Sequence, residues 1–469
     1  MADEAVGELR LSSAAGRWVL LATVLGSGMA MLDATVVNIA LPALGRDLGT
    51  GFAGLQWTVS GYTLTLASLI LLGGSLGDRY GRRRVFVVGT VWFAVASLLC
   101  ALAPTAPLLV AARALQGVGG ALLTPGSLAL IFSTFAEQDR GRAVGAWSGL
   151  SGIAGALGPF VGGTLVDISW RLVFLINLPL AGVVVVVALR HLPESRDEHS
   201  HPHLDLAGAG LAAVGLGGTT YALVGLGEDG GSGPVLAAGA AGLAGLAAFV
   251  LVERRSRHPM LPVEIFADRD FTASNLVTFA VYGALSGMFF LLVVHLQVVA
   301  GFSPLEAGAA LLPVTLCMLL LSARGGALAA RIGPRLPMAL GPVVCAGGAL
   351  LLRQVGPAAS FAHDVLPGTV LFGLGLSLTV APLTTTVLAA ALGRAGIASG
   401  VNNAVARAAG LLAVAVLPLL AGITGDDYRD PGAFQSGFRT AMVLCAGLLV
   451  LGGLLAAATI RPRSAVAGG

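Results

Sequence analysis

Among the charged residues inside the long apolar runs of this chain are Asp33 in MLDATVVNIALP (31–42) and Arg113 in ARALQGVGGALLTPG (112–126). If those runs cross a bilayer, each charge costs about 2.5–3.5 kcal/mol on insertion scales, so it stands there for function or as half of a structural ion pair. A buried carboxylic acid keeps its proton and releases it when water or a cation approaches. A proton-exchange site needs that behaviour, and Asp33 is its first candidate. Arginine stays charged throughout, which makes Arg113 the candidate counter-ion. Depth agrees with the pairing: Asp33 lies ~12 Å and Arg113 ~8 Å from the outer ends of their runs, within about one helical turn of the same level. Gln116, three residues beyond Arg113, shares its helix face and is placed to bridge the pair. The chemistry calls for no cofactor beyond protons as the coupling ion.

Other segments carry weaker signals. In GDRYGRRR (77–84), Gly77 and Gly81 permit a tight turn, and Asp78 is placed to cap a neighbouring helix or to pair with an arginine. Gly74, Asp78, Arg79, Gly81, Arg82 and Arg83 then form a conformational latch; a solvated topology signal is the plain alternative. In GIAGALGPFVGG (152–163), Gly155, Gly158, Gly162 and Gly163 permit close helix contact, and Pro159 removes a backbone hydrogen bond and bends the helix. Ordinary packing and a functional bend are equal readings there. Trp57, Tyr62, Gln116, Asn275, Tyr282, Phe289, Phe290 and Gln297 are candidates for a substrate cavity, which is mostly apolar with a few polar groups; His295 and Gln297 fit an interfacial position equally. Arg407 is read as structural, with a pair to Asp78 or an anionic substrate as alternatives. His199, His201 and His203 alternate beside Asp197 and Glu198, and a solvated loop is a simpler reading than a metal site. No metal is expected. Cys100, Cys317, Cys345 and Cys445 lie too far apart for metal or disulfide spacing. Gly73 to Gly77 fits G-x-S-x-G, but it ends an apolar helix with no strand before it, so it is no nucleophile elbow.

The elements that must position these groups are membrane-spanning helices. Of 469 residues, 56% are hydrophobic and 11% charged, whereas a soluble chain carries about a quarter charged. This chain cannot cover a water-facing surface. Apolar runs of about 20 residues fall at 18–41, 56–76, 84–102, 108–132, 143–166, 170–189, 206–227, 234–252, 272–298, 304–330, 335–352, 366–388, 398–422 and 438–459. The reading is an all-α polytopic membrane protein with 14 transmembrane helices: two six-helix bundles and two extra central helices. Residues 1–190 form the N-terminal bundle, 191–270 the inner loops plus the two extra helices, and 271–469 the C-terminal bundle. The first run is read as a span, not a cleaved leader. All basic residues are arginine; 19 of the 27 fall in loops and tails on one side and 5 on the other, which puts both termini in the cytoplasm. Composition points to a bacterial source and hence to the inner membrane. A net charge of +3 gives no reason to expect nucleic acid. The expected partners are the lipid bilayer and a small lipophilic substrate, with the chain acting as a monomer. The bundles echo each other: GGSLGDRYGRRR (73–84) after the second run matches GGALAARIGPR (325–335) after the tenth, the repeat architecture of many transporters.

Five segments together resemble the fourteen-span drug:proton antiporter branch of the major facilitator superfamily, in the right order. GGSLGDRYGRRRVF (73–86) is similar to the superfamily's loop motif, RALQGVGGA (113–121) to its fourth-span basic motif and GALGPFVGG (155–163) to its fifth-span antiporter motif. LDATVVNIALP (32–42) with QWTVSGYTLTLASLILLGGSL (56–76), and WRLVFLINLPLA (170–181), resemble the fourteen-span branch. The resemblance covers nearly the whole chain and implies alternating access, proton antiport and export of lipophilic drugs or antibiotics. It implies that Asp33 exchanges the proton with Arg113 as partner, and that Asp78 and its arginines stabilise the outward-open state. The second half departs from the pattern: AARIGPR (329–335) lacks the acidic residue, and NNAVARAAGLLAVAV (402–416) is less glycine-rich.

With Asp33 the only acidic residue placed well inside a span, a neutral or monocationic amphipathic substrate is expected, since each buried cation needs a counter-charge. Export of an endogenous metabolite or siderophore is the alternative. A proton-translocating respiratory subunit would need intramembrane lysines, and the chain has none. A membrane enzyme would need clustered His/Glu or Ser/His in the spans, so no enzyme is expected.

Overall fold

The computed structural model describes residues 9–196, 204–256, 259–391, 395–425 and 427–461, apart from the side chains of 154, 156 and 395. The helices are α1 Ala14–Asp47, α2 Phe52–Tyr80, α3 Arg82–Leu102, α4 Ala106–Thr134, α5 Glu137–Ile168, α6 Leu172–Leu175, α7 Asn177–His191, α8 Leu206–Glu228, α9 Gly233–Arg255, α10 Arg269–Val298, α11 Pro304–Ala309, α12 Leu312–Ile332, α13 Arg335–Leu352, α14 Leu366–Ala390, α15 Ala395–Ala421 and α16 Pro431–Thr459. No β-strand occurs among the described residues. Among the described residues fourteen spans, counting α6 with α7 and α11 with α12, are long and apolar enough to cross a membrane.

Several helices outrun their apolar windows. α1 has 34 residues, about 51 Å of helix, against a hydrocarbon core of about 30 Å. Hydropathy ends where lipid ends, but a helix ends where its backbone is capped. Ser13 starts α1 by accepting from Gly16 N at 3.0 Å, and Asp430 starts α16 by accepting from Gly432 N and Ala433 N. The sixth and tenth spans, expected as single helices, are each broken once. Pro179 and Pro313 explain both breaks. A proline lacks the N–H that would bond the carbonyl four residues back and its ring crowds that carbonyl, and α6 ends at Leu175 and α11 at Ala309.

The chain forms two compact units. The first comprises Met1–Thr50, Trp57–Gly215 and Gly245–Met260, the second Gly51–Gln56, Leu216–Ala244 and Leu261–Gly469. The two extra helices α8 and α9 are thus shared out between the units. In the first, α1 packs chiefly on α5, α3 packs on α4, and α7 lies against α1 and α3. In the second, α14 packs on α12 and α13, while α10 lies between α15 and α16. Large apolar side chains such as Val95, Leu102, Leu243, Leu320 and Leu454 are exposed on the helix surfaces, which water disfavours and acyl chains do not.

Candidate functional site

Asp33 lies in the middle of α1 with no exposed surface, and Arg113 on α4 is 1% exposed. Arg113 Nη1 donates to Asp33 Oδ2 at 2.6 Å. Gln116 completes the junction: its Nε2 donates to Asp33 Oδ1 at 2.8 Å, and its Oε1 accepts from Arg113 Nη1 at 2.5 Å. Asn177, at the start of α7, adds a third donor to Asp33 Oδ1 at 3.1 Å. Every partner of the carboxylate is a donor, the set an ionised acid requires.

Arg113 does not depend on Asp33 alone. Its Nε donates to Thr58 O on α2 at 3.1 Å. Its guanidinium lies 4.5 Å from the ring centre of Tyr62 and 5.8 Å from that of Phe174, within cation–π range. Ser97 on α3 accepts from Gln116 at 2.8 Å and from Asn177 at 3.3 Å. One ion pair therefore gathers α1, α2, α3, α4, α6 and α7. Sequence reasoning found three members and missed Ser97, Asn177 and the Thr58 carbonyl. Asn177 had a signal, a lone amide inside the apolar run at 170–181. Ser97 and a backbone carbonyl had none.

The small residues of α5 seat α1 beside this pair. A side chain at Gly158 would collide with Thr35 on α1, and one at Gly162 would meet Val36 and Ile39 within 3.1 Å. Close packing is what these two glycines do. Gly155 faces open space, Gly163 and Pro159 are buried, and α5 continues as helix through Pro159.

The basic loop is organised locally. Asp78 accepts from Arg82 Nε and Nη2 at 2.9 and 2.8 Å, one helical turn away. The cap on α3 comes from Glu194, which follows α7: its two oxygens accept from Arg83 N at 3.1 Å and Arg84 N at 3.2 Å. Arg83 Nη1 donates to Leu192 O at 3.0 Å and Arg82 N to Ser195 O at 2.9 Å. Gly81 has φ +110°, and a Cβ there would strike the Glu194 carboxylate; both make glycine necessary. Arg79 lies over the Tyr80 ring at 5.1 Å, and Gly74 faces Pro125 on α4. Sequence reasoning missed Glu194, which only tertiary contact brings to α3.

The remaining candidates are spread over both units. In the first unit, Tyr62 is 3% exposed beneath Arg113, and Trp57 is half-buried. In the second, Asn275 Oδ1 accepts from Asn402 Nδ2 at 3.2 Å, and Thr278 Oγ1 accepts from the same amide at 2.8 Å. Tyr282, Phe289 and Gln297 are half-buried. Phe290 is enclosed, packed edge-on against Phe52 at 5.6 Å, and has no free surface. Arg407 is half-buried and makes no ion pair with a described residue. Asp33 is not the only buried carboxylate: Asp139, in the first turn of α5, accepts from Leu11 N at 3.0 Å, and Glu253 is buried in the last turn of α9. Both sit at helix ends, and among the described buried carboxylates Asp33 alone lies mid-helix. His199, His201 and His203 lie outside the described residues.

Comparison with known proteins agrees with this architecture. The sequence model described as Major Facilitator Superfamily matches residues 23–415. The chain is 35% identical over 468 residues to the puromycin resistance protein pur8 of Streptomyces alboniger, covering 96% of this chain and 92% of that protein. It is 37% identical over 442 residues to the probable actinorhodin transporter of Streptomyces coelicolor, covering 90% and 76%. Among solved structures, a bacterial homologue of the human lysosomal transporter Spinster superposes with a TM-score of 0.68 at 17% identity, covering 97% of this chain and all of that one. The relatives are bacterial drug and antibiotic resistance and export proteins, and the shared fold is that of a multi-pass transporter.

Proposed function

Because the chain belongs to the major facilitator superfamily, we propose that it exports a lipophilic drug or antibiotic in exchange for protons, with Asp33 as the proton-exchange site and Arg113 as its electrostatic partner. The observation that carries the reading is the fully buried pair, held at 2.6 Å and joined by Gln116 and Asn177. Breaking such a pair by removing one partner costs about 3–5 kcal/mol, because a charge is left uncompensated. Protonation of Asp33 achieves the same separation without removing an atom. The neutral acid releases its hold on Arg113, and the guanidinium keeps the Thr58 carbonyl, the Tyr62 ring and Gln116 Oε1. Loss of one bond between α1 and α4, with the cation still bound to α2, lets proton binding change how α1 sits among its neighbours. A bistable packing biased by one charge is the form such coupling takes.

Among the described residues the only buried mid-helix carboxylate is used by Arg113, which leaves no second such acid there to balance a dication. A neutral or monocationic amphipathic substrate follows, and the relatives named for puromycin resistance and actinorhodin transport support an antibiotic as that substrate. The arginine bias supports cytoplasmic termini in a bacterial inner membrane.

The test is drug-driven proton movement in proteoliposomes across a panel of lipophilic antibiotics, comparing the parent with Asp33→Asn. At least one compound should move protons with the parent and none with the variant. Coupling that survives in a folded Asp33→Asn protein would overturn the site. Silence of the whole panel with folded parent would move the substrate to an endogenous metabolite.

A further inference from the structure

In the second unit, the first turns of α16 and the end of α13 border a depression of about 500 Å³. Gln435, Ser436, Arg439, Thr440 and Val443 line it from α16, and Arg353 lines it from the C-terminus of α13. The α16 positions recur every three to four residues, so they form one helix face. The floor is fixed. Gln435 Nε2 donates to Val355 O at 2.9 Å, His295 Nε2 lies 3.1 Å from the same carbonyl, and the His295 ring stacks on Phe438 at 3.8 Å.

Two features of the rim ask for a ligand. Arg353 and Arg439 are both exposed, and neither makes an ion pair with a described residue. The carboxylate nearest to Arg439 in sequence, Asp430, is occupied as the N-cap of α16. Two guanidinium groups on one basin match the oxygens of a phosphate group, and the Ser436 hydroxyl on the same lining is a further donor. The second feature is apolar. Val443, Val450 and Leu454 continue from the basin along α16 as exposed side chains, and Leu350 and Leu351 do the same on α13. A soluble anion has no use for that stripe; a lipid has.

We propose that this basin seats the phosphodiester head group of an anionic phospholipid, between Arg353 and Arg439, with its acyl chains along the stripe of Val443, Val450 and Leu454. Ordinary interfacial arginines snorkel toward any head group. Here the hydroxyl-bearing face of α16 and the anchored Gln435 give one lipid a defined place. The site uses none of the residues assigned to proton exchange and stands whether or not that assignment does.

The test is lipid binding by the full chain in neutral detergent, followed by native mass spectrometry and by thermal unfolding. Phosphatidylglycerol, phosphatidylcholine and inorganic phosphate are titrated separately. The parent should retain and be stabilised by phosphatidylglycerol, and Arg353→Gln with Arg439→Gln should weaken that binding about 30-fold, at roughly 1 kcal/mol for each basic residue. Phosphatidylcholine should respond little to the change. Should the double variant fail to fold, Ser436→Asp places a like charge in the basin with both arginines intact and should weaken phosphatidylglycerol in the same direction. Equal phosphatidylglycerol binding by parent and variants overturns the proposal. Stabilisation by inorganic phosphate as strong as by the lipid overturns it in favour of a soluble-anion site.

Discussion

The two units centre on a polar contact of a different kind. In the first, α1 meets α4 through an ion pair, Asp33 with Arg113, closed by Gln116, Asn177 and Ser97. In the second, α10 meets α15 through neutral groups, Asn402 with Asn275 and Thr278. Glycines supply close packing in both units, from α5 in the first and from both α10 and α15 in the second, where a side chain at Gly410 of α15 would meet Ser286 of α10. In the first unit, Gly158 and Gly162 of α5 receive α1, and in the second Gly283 and Gly287 of α10 receive Ala413 and Leu417 of α15. Both units reach tight helix contact, but among the described residues only the first places a carboxylate there. A neutral amide cluster holds helices together at any pH. A buried carboxylate paired with arginine holds them only while it is ionised, so pH-dependent motion is expected to start in the first unit.

The largest effect expected from breaking this contrast is at Arg113. Arg113→Leu strands the Asp33 charge and should cost about 3–5 kcal/mol in thermal unfolding. The double change of Asp33→Asn with Arg113→Leu should recover a large part of it, and a double variant no more stable than the single one would sink the coupling. Next is the seat of α1. Gly162→Leu forces a side chain against Val36 and Ile39 and should destabilise by about 1–3 kcal/mol, with drug-driven proton movement reduced; wild-type stability would show that α5 yields freely. A smaller loss is expected in the neutral cluster. Asn402→Ala removes two hydrogen bonds and should cost about 1–2 kcal/mol, while the response to Asp33 protonation persists. Loss of proton coupling in Asn402→Ala would erase the distinction between the units. The smallest effect concerns the α3 cap. Glu194→Gln should cost about 0.5 kcal/mol, because the carboxylate is partly solvated and screened, and raised salt should shrink the difference further.

The sequence by itself determined that this is a fourteen-span helical membrane protein and which two charges lie within its first and fourth spans. Both follow from a one-dimensional quantity. A bilayer excludes water over a fixed thickness, so the length of each apolar run and any charge inside it can be counted along the chain. The equal depth of Asp33 and Arg113 was legible for the same reason, since rise per residue converts position into height. The breaks at Leu175 and Ala309 were encoded too, in Pro179 and Pro313, although hydropathy averaging hides them. Only the tertiary structure decided which residues share the charge. Asn177 reaches Asp33 across 144 residues of sequence and Glu194 reaches Arg83 across 111. Nothing in local spacing specifies such meetings. They depend on how each helix is rotated about its axis, and that rotation is set by the packing of neighbouring helices at sites such as Gly158 and Gly162.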